Sequence, residues 1–104
     1  MVVKKNILVT GSDGQLGKSL QLVTKNNMKF NFFFCSKKKL NITIYDSLKN
    51  FIISNKISII INCAAYTSVE HAQDDFKSAN LTNCVGVRYL SKLCSIYKIQ
   101  LIHI

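Results

Sequence analysis

The stretch T-G-S-D-G-Q-L-G, residues 10–17, follows directly after the apolar run I-L-V at residues 7–9. Gly11, Gly14 and Gly17 leave the backbone without side chains at three fixed points of a turn between a strand and a helix. Such a turn can approach a pyrophosphate closely, and the first amides of the helix then face the phosphates. An ordinary tight turn is the alternative, but the position between a strand and an amphipathic helix favours dinucleotide binding.

The pattern along the chain predicts alternating strands and helices in the order βαβαβαβ. Strands are expected at residues 6–10, 30–35, 57–62 and 100–104, helices at 15–24, 44–55 and 75–97, and a short helical turn at 69–73. Thr43 and Asp46 have the spacing of a capping box at the start of the second helix. The alternation predicts a partial Rossmann fold: an α/β, doubly wound parallel sheet of about four strands in the order 3-2-1-4.

Composition and charge exclude several classes of function. The net charge is +9, from 14 basic and 5 acidic residues, but the lysines are scattered apart from the run at residues 37–39. Scattered lysines are typical of a solvated surface, so we expect no nucleic-acid partner. The sequence contains no run of eighteen apolar residues, so it predicts no membrane span. The four cysteines form no C-x-x-C pair and are expected to be reduced core thiols. Since His71 and His103 are isolated in the sequence, we expect no metal site.

The two ends of the sequence carry separate expectations. The first six residues lead straight into a strand without the apolar core of a signal peptide, which favours a cytoplasmic protein. The last residues, L-I-H-I at 101–104, stop within an apolar strand, which would leave an edge with no strand beside it. The sequence therefore predicts a fragment of a longer domain that is marginally stable or prone to aggregation by itself.

Further motifs occur in a fixed order after the glycine-rich turn. They are L-N-I-T at residues 40–43, I-N-C-A-A-Y-T-S-V-E at 61–70, N-C-V-G-V-R-Y-L at 83–90 and L-I-H-I at 101–104. This series resembles the amino-terminal part of the dTDP-4-dehydrorhamnose reductase family, which are extended short-chain dehydrogenases/reductases. The resemblance implies an oxidoreductase that uses NADPH to reduce dTDP-4-dehydrorhamnose to dTDP-L-rhamnose, a nucleotide sugar for cell-surface polysaccharide.

The resemblance also implies roles for individual residues. A pyrophosphate loop would be formed by Gly11, Gly14, Gln15, Leu16 and Gly17. The cofactor ribose would lie against the segment that follows the third strand, which comprises Ala64, Ala65, Tyr66 and Thr67. The alternative for the two alanines is that they are small packing residues. Asn83 corresponds to a position that supports the active site in this superfamily, or is a polar residue bonded within its helix layer.

Two short segments bear on cofactor choice. After the second strand, where an acidic residue would favour NADH, the chain has Ser36 and Lys37, which could hold a 2′-phosphate. NADPH is therefore favoured over NADH, and a solvated lysine loop is the alternative for this segment. In the family, Asn41 and Ile42 correspond to the adenine-binding segment, where relatives carry Asp at the position of Asn41. The side-chain carbonyl oxygen of Asn41 could still accept a hydrogen bond from the adenine amino group.

The catalytic part of the family pattern has no counterpart in these 104 residues. The Tyr-x-x-x-Lys pair and the sugar-nucleotide-binding region are missing, and Tyr45, with Lys49 four residues later, is in the wrong place to substitute. We therefore assign no catalytic residue, and we expect the chain by itself to be inactive. The dTDP-sugar substrate and a homodimer belong to the intact enzyme. Two alternatives stay open: a non-catalytic regulatory or binding subunit of the same fold, and a decayed gene remnant.

Overall fold

A computed structural model describes the backbone of residues 4–63 and 76–104, and the side chains of the same residues except 76–83. The strands are β1 (Lys5–Thr10), β2 (Phe30–Cys35), β3 (Ile57–Asn62) and β4 (Gln100–His103). The helices are α1 (Gln15–Val23), α2 (Tyr45–Ser54) and α3 (Phe76–Tyr97). These elements confirm the predicted alternation. The short helical turn predicted at residues 69–73 lies outside the described residues.

All strand pairs of the sheet are parallel, in the order β2-β1-β3-β4. The partial Rossmann fold is thus confirmed, but the predicted strand order 3-2-1-4 is wrong, since β3 pairs with β1 and not with β2. The nine residues between β2 and α2 form turns and no strand. The run I-S-I-I-I of β3 is largely buried, and a strand of this kind is stable in the interior of a sheet, where both edges and both faces are covered.

The two faces of the sheet are covered by different helices. The face toward α2 and α3 holds the larger core, which includes Leu8 and Ile60 from the strands and Leu48 and Leu90 from the helices. The opposite face packs against α1. This division follows from right-handed crossovers, because the chain moves one way along the sheet from β1 to β2 and the other way from β2 to β4.

Some apolar residues of the helices and one of the four cysteines are exposed. Val23 and Tyr97 share a helical face with core residues, yet they are 76% and 39% exposed, respectively. Each is the last residue of its helix. Cys84 is exposed as well, while the other three cysteines are buried, so the prediction of four core thiols is wrong for this one. On α3, Cys84 is two residues from the buried Gly86, on a different side of the helix.

The capping box predicted at Thr43 and Asp46 does not form. The residue that caps α2 is Ile44, which makes no side-chain hydrogen bond to the helix. The Thr43 hydroxyl instead donates to the Asn41 side-chain oxygen at 2.6 Å, and the Thr43 amide donates to the same oxygen at 3.0 Å. The Thr43 side chain is therefore directed into a local turn around the asparagine and not toward the first turn of the helix.

Candidate functional site

The candidate site lies where the direction of the chain across the sheet reverses. β1 has β2 on one side and β3 on the other, and the connections that leave β1 and β2 run over opposite faces. In open α/β sheets a crevice forms at this point, beyond the carboxyl ends of the strands, and ligands bind there. The loop at residues 11–14 leaves β1 at this place.

Gly11 opens the glycine-rich loop in a left-handed conformation, with φ of 64°. Side chains other than glycine rarely adopt this conformation, so the residue sets the turn. The loop is closed by a hydrogen bond from the Gly14 amide to the Gly11 carbonyl, at 3.2 Å. It is also tied to β2, because the Ser12 amide donates to the Cys35 carbonyl at 3.1 Å. The loop therefore has a defined position between two strand ends.

The amino terminus of α1 faces this loop, and its first turn contains no acidic residue. Gly14 caps the helix and makes no side-chain hydrogen bond to it. The first amides of a helix carry a partial positive charge and lack partners within the helix. This end of α1 is consequently suited to an anion such as a pyrophosphate.

Gly17 lets α1 lie directly against the loop. A Cβ atom at this position would be 2.6 Å from the Ser12 carbonyl oxygen, and Gly17 itself is buried. At Gly14 a Cβ would meet, among the described residues, only the Gly11 oxygen, at 3.5 Å, which is an ordinary contact. The protein's own packing therefore requires glycine at position 17, whereas at position 14 it leaves room beside the loop for another group.

The segment after β2 places several hydrogen-bonding groups at the same edge of the sheet. Ser36 is partly buried, and its hydroxyl accepts a hydrogen bond from the Lys39 amide at 3.3 Å. Lys37 is exposed. Since the Ser36 oxygen is the acceptor in this bond, its own proton is still able to donate to a ligand.

Asn41 and Ile42 follow in the turn that leads to α2. The Asn41 side-chain oxygen accepts from both the amide and the hydroxyl of Thr43, so its two lone pairs are engaged. The group that Asn41 has left to offer is its amide nitrogen, a donor, whereas the sequence suggested an acceptor. Ile42 is buried against α3, where a Cβ at Gly86 would lie 2.5 Å from Ile42 Cγ1.

Sequence reasoning missed a polar network at the carboxyl ends of three strands. The Thr10 hydroxyl donates to the Asn62 side-chain oxygen at 2.6 Å, and Asn62 Nδ2 lies 2.9 Å from His103 Nδ1. Thr10 pairs with Asn62 across the sheet, and Asn62 pairs with His103. A sequence signal was present, since each of these apolar strands ends in a hydrogen-bonding side chain.

Other predicted site residues fall outside what the structure describes. Ala64, Ala65, Tyr66 and Thr67 are among residues 64–75, and for Asn83 only the helical backbone is described. Tyr45 packs edge-on against Tyr89, with ring centroids 5.2 Å apart. Tyr45 is partly buried on α2 and packs against the larger core.

Burial alters the chemistry of three thiols. It raises the pKa of Cys94 to about 11 and also raises the pKa of Cys63. The pKa of Cys35 is raised by burial too, although the nearby Lys39 charge opposes the shift. Thiols with raised pKa values are poor nucleophiles at neutral pH.

Among the described residues, no three His, Cys, Asp or Glu side chains are grouped to hold a metal ion, and no helix is long and apolar enough to span a membrane.

A glycine-rich loop at the reversal point of a parallel sheet, followed by a helix that has no side-chain cap, defines a Rossmann-type α/β unit. Comparison with known families narrows this class. Residues 5–104 match the family described as RmlD substrate binding domain, and the chain belongs to this family.

Individual relatives support the assignment. The dTDP-4-dehydrorhamnose reductase of Aggregatibacter actinomycetemcomitans is 36% identical over 98 residues, covering 94% of this chain and 33% of that protein. The enzyme of the same name from Mycolicibacterium smegmatis is 32% identical, covering 99% and 31%. The solved dTDP-4-dehydrorhamnose reductase of Bacillus anthracis in complex with NADP superposes with a TM-score of 0.85 at 31% identity, covering 97% and 36%. The chain thus spans about a third of the length of these relatives.

Proposed function

We propose that this chain is the cofactor-binding part of an NADPH-dependent dTDP-4-dehydrorhamnose reductase. The observation that carries the proposal is the site formed by the glycine loop (residues 11–14) and the first turn of α1, which we call the anion cradle. There α1 packs on the loop through Gly17, and its amino terminus has no side-chain cap. The family membership and the NADP complex of the Bacillus anthracis relative support the same conclusion.

Each part of the cradle suits one part of the cofactor. The pyrophosphate would bind the loop and first helical turn, formed by Gly11, Gly14, Gln15, Leu16 and Gly17. Ser36 and Lys37 would hold the 2′-phosphate, which favours NADPH over NADH, because a hydroxyl and an ammonium group are donors to a phosphate. Asn41 and Ile42 would lie at the adenine. The cofactor ribose would lie against the segment that comprises Ala64, Ala65, Tyr66 and Thr67.

The proposed reaction reduces the C4 ketone of the dTDP-sugar to a hydroxyl, and bound NADPH supplies the hydride. The residues of this chain bind and orient the cofactor, and no residue among them is assigned to protonate the sugar oxygen. The reaction would take place in the cytoplasm, and its product dTDP-L-rhamnose would be used for cell-surface polysaccharide. The dTDP-sugar site and a homodimer are assigned to the intact protein, and by itself this chain is expected to show no turnover.

Cofactor binding by the 104-residue chain is the direct test. NADPH fluorescence should rise on titration with the chain, and NADH should bind at least about tenfold more weakly, equivalent to ~1.4 kcal/mol. The matched variants are Lys37→Ala, expected to reduce the preference for NADPH, and Lys49→Ala, on α2 away from the glycine loop, expected to leave it unchanged. A folded chain, shown by circular dichroism, that binds neither cofactor at millimolar concentration would refute the proposal.

A further inference from the structure

Three side chains form a continuous hydrogen-bonded path across β1, β3 and β4. Thr10 and Asn62 are fully buried, at 0% exposure. The path runs from the Thr10 hydroxyl to the Asn62 amide over 2.6 Å and from the amide to the His103 ring over 2.9 Å. These residues occupy paired register positions on neighbouring strands, so the path lies perpendicular to the strands at their carboxyl ends.

The chemistry of the central amide gives this path a direction. Thr10 donates its proton to Asn62 Oδ1, and the amide nitrogen of Asn62 is therefore the atom turned toward His103. An amide nitrogen can only donate, so His103 Nδ1 has to be the acceptor. The neutral imidazole then carries its proton on Nε2, and the tautomer of a ring on β4 is linked through the Asn62 amide to a hydroxyl on β1.

The same residues hold the backbone where the loops leave the sheet. The Thr10 carbonyl accepts from the Cys63 amide at 3.1 Å, and the Asn62 carbonyl accepts from the Ile104 amide at 3.3 Å. Gly11, which opens the cofactor loop, follows Thr10 directly. Side-chain and backbone bonds together therefore link the start of the glycine loop to the ends of the next two strands.

We propose that Thr10, Asn62 and His103 are positioning residues, which hold the glycine loop after β1 at a fixed distance from the segments that follow β3 and β4. Cofactor affinity then depends on the Thr10 hydroxyl and the His103 acceptor, neither of which is assigned a cofactor contact. The inference rests on the proposed NADPH-binding function for its effect on affinity, but the direction of the path can be measured without any cofactor.

The first test reads the His103 tautomer by long-range ¹H–¹⁵N NMR of the chain at about pH 8.5, where histidine side chains are neutral. The wild-type chain should show the Nε2-protonated form. In Thr10→Val the Asn62 oxygen loses the hydroxyl that donates to it, so the share of the Nε2-protonated form of His103 should fall. Thr10→Ser keeps a hydroxyl and should restore the wild-type spectrum. A cross-strand contact with a merely structural role would not connect a β1 hydroxyl to a β4 tautomer.

The second test measures NADPH affinity in variants of His103, which is exposed, so that its replacement spares the core. His103→Leu removes the acceptor and should weaken NADPH binding about five- to tenfold, the effect of one hydrogen bond on an equilibrium. His103→Asn keeps a side-chain oxygen near the position of Nδ1 and should stay within about twofold of the wild type, by the same scale.

The outcomes separate this inference from the proposed function. If wild type and Thr10→Val show the same tautomer, or if His103→Leu binds NADPH as well as the wild type does, the positioning network is refuted. If the wild-type chain shows the Nε2 tautomer but binds no NADPH, the proposed function fails, while the coupling between Thr10 and His103 stands on the spectra. An Nδ1-protonated ring in the wild type would refute the direction of the path.

Discussion

Two glycines of the motif at residues 10–17 have different roles, since Gly17 is needed for packing and Gly14 for the proposed ligand binding. Gly17 is required by the protein itself, since any side chain there would meet the Ser12 backbone. Gly14 has room for a methyl group within the chain. Two alanine substitutions, three residues apart, should therefore have different consequences.

Gly17→Ala should destabilise the chain by about 1–3 kcal/mol, because overpacking against backbone cannot be relieved by a rotamer change. Gly14→Ala should leave the melting temperature almost unchanged but weaken NADPH binding at least about tenfold, since its methyl group would occupy the space proposed for the pyrophosphate. Thermal denaturation and NADPH titration of both variants check this pair. Equal losses of stability would contradict the assignment of the two roles.

Asn41 presents a donor where the proposed adenine site calls for an acceptor. Asn41→Asp should strengthen NADPH binding about three- to tenfold, or ~1 kcal/mol, because one carboxylate oxygen can accept from Thr43 while the other accepts from the adenine amino group. Calorimetric titration of the variant measures the change. Asn41→Leu is the control, expected to bind more weakly than the wild type. Weaker binding by the Asp variant would argue against an adenine contact at this position.

At the scale of the elements, α3 comes close to the turn before α2 where Gly86 lies beside Ile42. Gly86→Ala would place a methyl group 2.5 Å from Ile42 Cγ1. Because the atoms met are the end of the Ile42 side chain, which can shift, we expect a loss of about 1 kcal/mol or less in the free energy of unfolding. In a double-mutant cycle, Ile42→Ala removes the atoms that collide, so the double variant should lose less stability than the sum of the single variants. Strict additivity, measured by urea denaturation, would show that the helix can shift instead.

Burial of Cys94 on α3 makes the free energy of unfolding depend on pH in the alkaline range. The folded-state pKa of Cys94 is raised from 9.0 to about 11, so the folded protein holds this proton more tightly than the unfolded chain does. The contribution of Cys94 is complete below pH 9 and should decline by up to about 1.4 kcal/mol per pH unit between pH 9 and 11. Urea denaturation at pH 8, 9.5 and 10.5 tests this, and Cys94→Ala should show a shallower decline. The same slope in both would contradict it.

At the scale of the whole molecule, apolar surface is unevenly covered. Among the described residues, α1 is the helix that packs on the face carrying Phe30, Phe32 and Phe34. Leu22, Val23 and Met28, at the end of α1 and the turn after it, are 76%, 76% and 75% exposed. Exposed apolar surface of this kind favours association.

The chain should therefore associate in a concentration-dependent way above about 0.1 mM, within the range where exposed apolar surface drives aggregation. Sedimentation velocity measures this association. The double substitution Leu22→Lys and Val23→Lys should weaken it, whereas Asn50→Lys, which adds charge on α2, should have a smaller effect. A monodisperse monomer with no binding of a hydrophobic dye would contradict the prediction.

Local patterns in the sequence were sufficient for the elements and for the glycine loop. Alternation of apolar runs with amphipathic stretches located the strands and helices because side-chain periodicity reflects one element at a time. The motif at residues 10–17 predicted the tight turn between β1 and α1 because its three glycines act within a single turn. Class and family were thus accessible from the sequence, and the comparisons confirmed them.

Relations between distant segments were decided by the tertiary structure alone. The pairing of β3 with β1 depends on which strand can bury both faces, and that is a property of the whole sheet. The capture of Thr43 by Asn41 followed from competition between two local hydrogen bonds, which spacing does not resolve. The path from Thr10 through Asn62 to His103 joins residues up to 93 positions apart, and it exists only because parallel strands bring their carboxyl ends to one edge.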